Sequence, residues 1–227
     1  MIRAVLFDMD GVLYDSMPYH VRAWHETILS LGINSDPDDY YLYEGLTGSF
    51  TIDILFNRAY GRDATDKEKM WIYEQKSRRF EELSDYITLM PGACEVLSAV
   101  KKLGRQIVVV TGSGQQTLFK KLEKDFPETF KKELLVTAYD VTHGKPDPEP
   151  YLLGLKKAKV AANEAIVVEN APFGVQSAVE AKIFTIGVNT GPLPSCVLSE
   201  FGAALTFQSM VDLAKNIETI IETTNTT

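Results

Sequence analysis

Two aspartates, Asp8 and Asp10, close a short apolar run, Ala4-Val5-Leu6-Phe7, and Gly11 follows them. Such a run reads as a buried strand, and residues two apart on a strand project to the same side. Carboxylates held a few ångströms apart resist joint ionisation unless a cation or donated hydrogen bonds intervene, so the pair predicts a bound metal or a split acid and base. The competing reading is an ordinary Asp-Gly turn. Three further stretches carry related groups. Val110-Thr111-Gly112-Ser113-Gly114 sets a hydroxyl and glycines behind an apolar run and can offer Thr111 Oγ1 and successive backbone N–H groups to a phosphate, although a plain glycine turn looks the same. Gly144-Lys145-Pro146-Asp147-Pro148-Glu149-Pro150-Tyr151 holds one lysine among three prolines, which fix φ and leave it little freedom; a loop lysine is otherwise usually solvated. Glu169 follows four apolar residues directly, where its charge needs matching, and a Mg²⁺ ion at the strand mouth would match it.

The elements that must position these groups follow from periodicity. After the first strand, residues 18–31, 36–43, 52–60 and 67–83 carry helical patterns with no strand signal between them. This predicts a helical cap domain over 16–87, joined by crossings near 15–16 and 85–89 to a core domain made of 1–15 and 88–227. In the core, helices at 91–104, 115–126, 148–158, 174–182 and 210–221 alternate with strands at 107–110, 134–136, 165–168 and 184–188. Apolar runs between amphipathic helices imply a parallel sheet covered on both faces, a Rossmann-like α/β core. Ligands of such sheets bind beyond the carboxyl ends of the strands, where the candidate stretches fall. Residues 222–227 form a polar tail with nothing to bury, expected to fray.

In order, Asp8-Met9-Asp10-Gly11-Val12-Leu13-Tyr14-Asp15-Ser16, Thr111-Gly112-Ser113, Gly144-Lys145-Pro146 and Glu169-Asn170-Ala171-Pro172-Phe173-Gly174 resemble the four motifs of the haloacid dehalogenase superfamily. The helical insertion after the first motif resembles its β-phosphoglucomutase-like group. The resemblance implies Asp8 as a nucleophile that forms an aspartyl-phosphate, which water then hydrolyses, and Asp10 as acid and base. It also implies phosphate binding by Thr111, Gly112, Ser113 and Lys145, and Mg²⁺ held by Asp8, Asp10 through its backbone carbonyl, Glu169 and Asn170. The family usually carries a second acid where Asn170 stands, and one charge fewer predicts weaker metal binding. Within the superfamily an acid at position 10 favours phosphatases and phosphomutases.

By the same resemblance His20 positions Asp10, and Glu44, Thr47 and Lys76 contact substrate from the cap. Glu44 can equally be a solvated residue beside a glycine turn. Gly48 stands where sugar phosphomutases of this group have an arginine for a second phosphate, and the pattern Tyr-x-x-Glu-Gly-x-Thr-Gly over 41–48 is similar to inorganic pyrophosphatases of the group. The expected activity is Mg²⁺-dependent hydrolysis of pyrophosphate or a small phosphate monoester, with β-phosphoglucomutase as the alternative. A phosphate-accepting regulatory module also combines acids, a hydroxyl, a lysine and Mg²⁺, but in such modules the accepting aspartate follows the third strand and no cap is inserted.

The whole chain of 227 residues is 45% hydrophobic and 24% charged, ordinary for a globular protein, and has no apolar stretch long enough to span a bilayer. Its net charge of −8 argues against a nucleic-acid backbone as partner and means that an anionic substrate needs local cations. Met1-Ile2-Arg3 runs straight into the first strand without a signal-peptide pattern, so a cytoplasmic location is expected. Cys94 and Cys196 lack metal-type spacing and are expected as reduced, buried small hydrophobes. The expected partner is a small phosphorylated molecule, and the sequence leaves the oligomeric state unknown, with a monomer sufficient.

Overall fold

The apolar runs assemble into one six-stranded sheet in the computed structural model, which describes residues 1–114, 116–127, 129–194 and 196–224, with only the backbone of 116–118. The strands are β1 (Ala4–Phe7), β2 (Gln106–Val110), β3 (Leu135–Val136), β4 (Ala165–Glu169), β5 (Phe184–Val188) and β6 (Leu205–Phe207). Their order is β3-β2-β1-β4-β5-β6 and every pairing is parallel. Alternate residues of β1 serve opposite faces: Val5 and Phe7 join one apolar cluster, Ala4 and Leu6 the other. Helices α5 (Ala93–Lys102), α6 (Gln116–Asp125), α10 (Met210–Ala214) and α11 (Ile217–Thr223) contribute Val96, Leu122, Leu213 and Ile221 to the first cluster. Helices α7 (Glu149–Ala158) and α8 (Pro172–Glu180) contribute Tyr151, Leu155 and Ala178 to the second.

Between β1 and α5 run α1 (Met17–Ser30), α2 (Asp39–Leu42), α3 (Gly48–Tyr60) and α4 (Asp66–Leu83), which share a third apolar cluster containing Trp24, Ile28, Ile52, Leu55 and Ile72. The outgoing and returning chains pair with each other: Met90 N–H donates to Leu13 O at 2.9 Å and Asp15 N–H to Thr88 O at 3.0 Å. This short antiparallel ladder keeps the two connections side by side beside Asp10.

Several boundaries differ from the sequence expectation for identifiable reasons. Helix α3 starts at Gly48, four residues early, because the Thr47 side chain accepts from Phe50 N–H and caps it. Helix α2 is a single turn. The helix expected over 210–221 is two, separated at Lys215 and Asn216. Strand β6 and the short α9 (Val197–Glu200) were not expected; β6 is a three-residue edge strand with Leu205 and Thr206 exposed, too short for a clear pattern. Residues 115 and 225–227, one at an expected helix start and three in the expected frayed tail, lie outside the described residues. Cys94 and Cys196 are exposed, not buried, which corrects the packing role expected for them. No described helix is long and apolar enough to cross a membrane.

One glycine secures the return into the core. Gly92 has φ +94°, which disfavours any L side chain, and a Cβ there would lie 2.4 Å from Val211 N, a backbone atom of α10. Gly92→Ala should therefore lose roughly 2–4 kcal/mol from backbone strain plus overpacking. A urea midpoint equal to that of the wild type would show that α10 yields freely at this contact.

Candidate active site

Sheet order reverses between β1 and β4, and in open α/β sheets this is where a crevice opens at the carboxyl ends. Asp8 N–H donates to Val168 O at 3.0 Å and Thr111 N–H to Val136 O at 3.0 Å, so both residues are held as continuations of their strands. Lys145 reaches into the gap between them. Its ammonium donates to Asp8 Oδ1 at 2.6 Å, Glu169 Oε1 at 2.5 Å and Val110 O at 3.2 Å, and its side chain is 0% exposed. Burial alone would strip this lysine of its proton, but the Asp8 and Glu169 carboxylates hold its pKa above the ordinary lysine value. One positive charge is thus divided between two buried acids. Burial, together with the charges of Glu169 and Asp10, outweighs the pull of Lys145 and pushes Asp8 up to about 8.

Glu169 spends both oxygens locally. Oε1 also accepts from the Tyr151 hydroxyl at 2.8 Å, while Oε2 accepts from Asn170 N–H at 2.9 Å and Ala171 N–H at 3.0 Å. A Cβ at Gly174 would lie 1.9 Å from Glu169 Oε1, so the glycine after Phe173 leaves the room that this folded-back carboxylate occupies.

Asp10 accepts from Ser16 Oγ at 2.6 Å and pairs with His20 Nε2 at 3.0 Å, and His20 Nδ1 lies 2.7 Å from Lys76 Nζ. A Lys76 N–H donated to Nδ1 puts the ring proton on Nε2, facing Asp10. Burial favours the neutral acid at Asp10, but His20, Ser16 and Lys76 together hold it below the ordinary carboxylate range. Lys76 packs among the faces of Trp24, Tyr73 and Phe80, and burial brings it down to about 7 against the charge of Asp10.

Glu44 is buried, which removes the solvated alternative for it. Asn170 Nδ2 donates to Glu44 Oε1 at 2.7 Å, and burial, with Asp8, Glu169 and Asp10 adding to it, raises this carboxyl well above its usual value. The Gly45-Leu46 turn lies on the loops beneath: Leu46 bridges to Lys145, and a Cβ at Gly112 would fall 2.6 Å from Gly45 O. A cavity of about 70 Å³ is lined by Asp8, Asp10, Glu44, Tyr73, Lys76 and Thr111, among others, including Gly112 and Ser113. Ser113 N–H donates to Thr111 Oγ1 at 3.0 Å. Thr47 stays outside this cavity; it caps α3 and abuts Gly144, where a Cβ would lie 2.3 Å from its Cγ2. Ser16, Tyr73 and the bond from Tyr151 to Glu169 escaped the sequence reading. Tyr151 and Ser16 stood inside quoted motifs, whereas Tyr73 carried no separate signal.

Among the described residues no three His, Cys, Asp or Glu side chains converge tightly enough to hold a metal ion by themselves. The donor set nevertheless suits a hard cation. Asn170 Oδ1 is buried without a hydrogen-bond partner, and Asp8, Asp10, Glu44 and Glu169 outnumber the cations Lys145 and Lys76 around the cavity.

This geometry agrees with the relatives of the chain. The family model for haloacid dehalogenase-like hydrolases matches residues 2–182. The chain belongs to the haloacid dehalogenase-like hydrolases. Within them it falls in the β-phosphoglucomutase-like group, and as an enzyme it is a phosphoric ester hydrolase, with phosphomutase activity open. It is 31% identical to the phosphorylated carbohydrates phosphatase of Thermotoga maritima over 80% of this chain and 82% of that protein. It is 26% identical to the β-phosphoglucomutase of Bacillus subtilis, with 84% of each chain covered. A solved structure from Bacteroides vulgatus, provisionally assigned as a β-phosphoglucomutase, superposes with a TM-score of 0.94 at 48% identity, covering 100% of this chain and 91% of that one.

The buried lysine of this hydrolase makes a stability prediction. From pH 7 up to the ordinary lysine pKa of 10.5, the folded protein binds fewer protons at Lys76 than the unfolded chain does, so this group adds stability as pH rises. Below pH 7 that contribution is absent, because both states carry the ammonium. Wild type should therefore gain on the order of 2–4 kcal/mol relative to Lys76→Met between pH 6.5 and 9.5, read by urea unfolding at both pH values. Parallel pH dependences would contradict the burial of a charged ammonium at this site.

Proposed function

We propose that the protein is a Mg²⁺-dependent phosphohydrolase acting on inorganic pyrophosphate or a small phosphate monoester, and that residues 16–87 act as a cap over a core of 1–15 and 88–227. The observation that supports a small substrate is the lining of the cavity above Asp8, which among the described residues offers one lysine and no arginine. Lys76 is its cap-side cation, and Gly48 brings none.

In this reading Asp8 attacks phosphorus in line and the P–O bond to the leaving group breaks, leaving an aspartyl-phosphate; water then attacks that phosphorus and frees Asp8. Thr111 Oγ1, the backbone of Gly112 and Ser113, and Lys145 bind the phosphoryl oxygens. Transfer of this kind asks chiefly for positioning and charge neutralisation. Asp10 protonates the leaving oxygen and, once deprotonated, takes the proton of the attacking water. Because His20, Ser16 and Lys76 favour its ionised form, Asp10 suits a leaving group that needs little protonation, such as phosphate, better than a sugar alkoxide. Asp8, Asn170, Glu44 and the Asp10 backbone carbonyl would hold Mg²⁺, with Glu169 acting through Lys145 and the Asn170 backbone. When bound, the ion supplies charge neutralisation at the phosphoryl oxygens and restores the anionic form of Asp8.

A phosphomutase is the second reading, supported by the relatives of that name. A screen of pyrophosphate, hexitol phosphates, p-nitrophenyl phosphate and β-glucose 1-phosphate with Mg²⁺ tests both readings. Pyrophosphate or a small monoester should have the highest kcat/KM, and conversion of β-glucose 1-phosphate to its 6-phosphate at a higher kcat/KM would establish the mutase. Asp8→Asn should abolish turnover while the protein stays folded, and Asp10→Asn should lose on the order of 10²–10⁴-fold. Wild-type rates in Asp8→Asn would refute the mechanism.

Glu44→Gln should lower kcat/KM for magnesium pyrophosphate on the order of tenfold or more beyond its effect on p-nitrophenyl phosphate, since only the former brings a second phosphate with bound cation to that side. Equal losses on the two substrates would remove Glu44 from leaving-group selection.

A further inference from the structure

A second cavity, of about 130 Å³, meets the first at Glu44 and Met17, the two residues common to both linings. Asn170 lines only this second cavity, and its Oδ1 is the buried acceptor without a partner. Asp15 and Glu44 contribute carboxyl groups and, among the described residues, no basic side chain lines it, so the walls favour a cation, which would restore the charge of Glu44, over phosphate. Its rim reaches solvent at Pro18, Gly191 and Pro192, which are exposed. Thr190 Oγ1 donates to Gly11 O at 2.6 Å and ties the rim loop to the turn behind Asp10. At about 30 Å³ per water the volume corresponds to roughly four waters, room for a divalent cation that keeps part of its hydration shell.

We propose that this cavity is a side passage by which a partly hydrated divalent cation reaches and leaves Asn170 and Glu44 while phosphate occupies the other cavity, with the Glu44–Asn170 hydrogen bond as its gate. The proposal rests on the reading that Asn170 and Glu44 face the metal. Substrate and phosphate, as anions, use the other cavity, which Lys76 lines and where Lys145 stands behind Asp8.

Gly191 offers a way to plug the passage. A Cβ there would lie 3.5 Å from Tyr41 Cδ1, an ordinary contact, and points toward the ring on the opposite wall. The test follows Mn²⁺ release from the full chain into excess EDTA by stopped-flow, with Mn²⁺ affinity measured separately by electron paramagnetic resonance, with and without saturating inorganic phosphate. Wild-type release should be nearly independent of phosphate. Gly191→Leu should slow release on the order of tenfold at nearly unchanged affinity, and Tyr41→Ala should speed it. Release blocked by phosphate in the wild type, or rates indifferent to both substitutions, would overturn the passage while leaving the metal site standing. Mn²⁺ affinity unaffected by Asn170→Ala would overturn the metal reading itself, and the passage with it.

Discussion

The ammonium of Lys145, buried between Asp8 and Glu169, is the interaction on which the rest of the site depends. Without it, two carboxylates at the ends of adjacent strands would face each other in a medium that penalises either charge, and breaking such a pair typically costs about 3–5 kcal/mol. With it, the deficit is only half repaired, because one cation serves two acids. The surroundings reflect this shortage. Tyr151 and two backbone N–H groups satisfy Glu169, the Leu46 bridge pins the segment that carries Lys145, and Asp8 stays difficult to ionise until further positive charge arrives. On the proposed function, this shortage of positive charge prepares the site for a cation and a phosphoryl group together.

The second acid, Asp10, has the opposite environment within the same cavity. Ser16, His20 and Lys76 form a chain of donors aimed at it, so burial raises one aspartate while hydrogen bonds lower its neighbour. Separating two like groups by environment is what allows different tasks on the two sides of one phosphorus atom. Helices α1 and α4 contribute His20 and Lys76 to that division, and the turn before α3 brings Glu44 to the same cavity.

Much of this was legible in the sequence because the groups are anchored to strand ends. An apolar run followed by Asp8-x-Asp10, Thr111 or Glu169 places a polar group at a mouth by local geometry alone. Lys145 was legible through the prolines that restrain it. Part of what the sequence left open depends on contacts distant in sequence. Glu44 finds its buried partner in Asn170, 126 positions away, whose Nδ2 donates to it. Thr47, expected to touch substrate, is used by the backbone as a helix cap, a role that its position just before Gly48 also permits. The exposed cysteines and edge strand β6 were misread or missed because neither exposure nor edge pairing leaves a periodic trace in so few residues.

The most direct test of the central claim is acid quenching of the enzyme during turnover of its best phosphorylated substrate, followed by peptide mass analysis. A covalent phosphoryl group should appear transiently on the peptide containing Asp8, at a level that rises before steady state and vanishes as substrate is exhausted. Phosphate release without any such adduct across the quench times, or an adduct on a peptide lacking Asp8, would contradict the account.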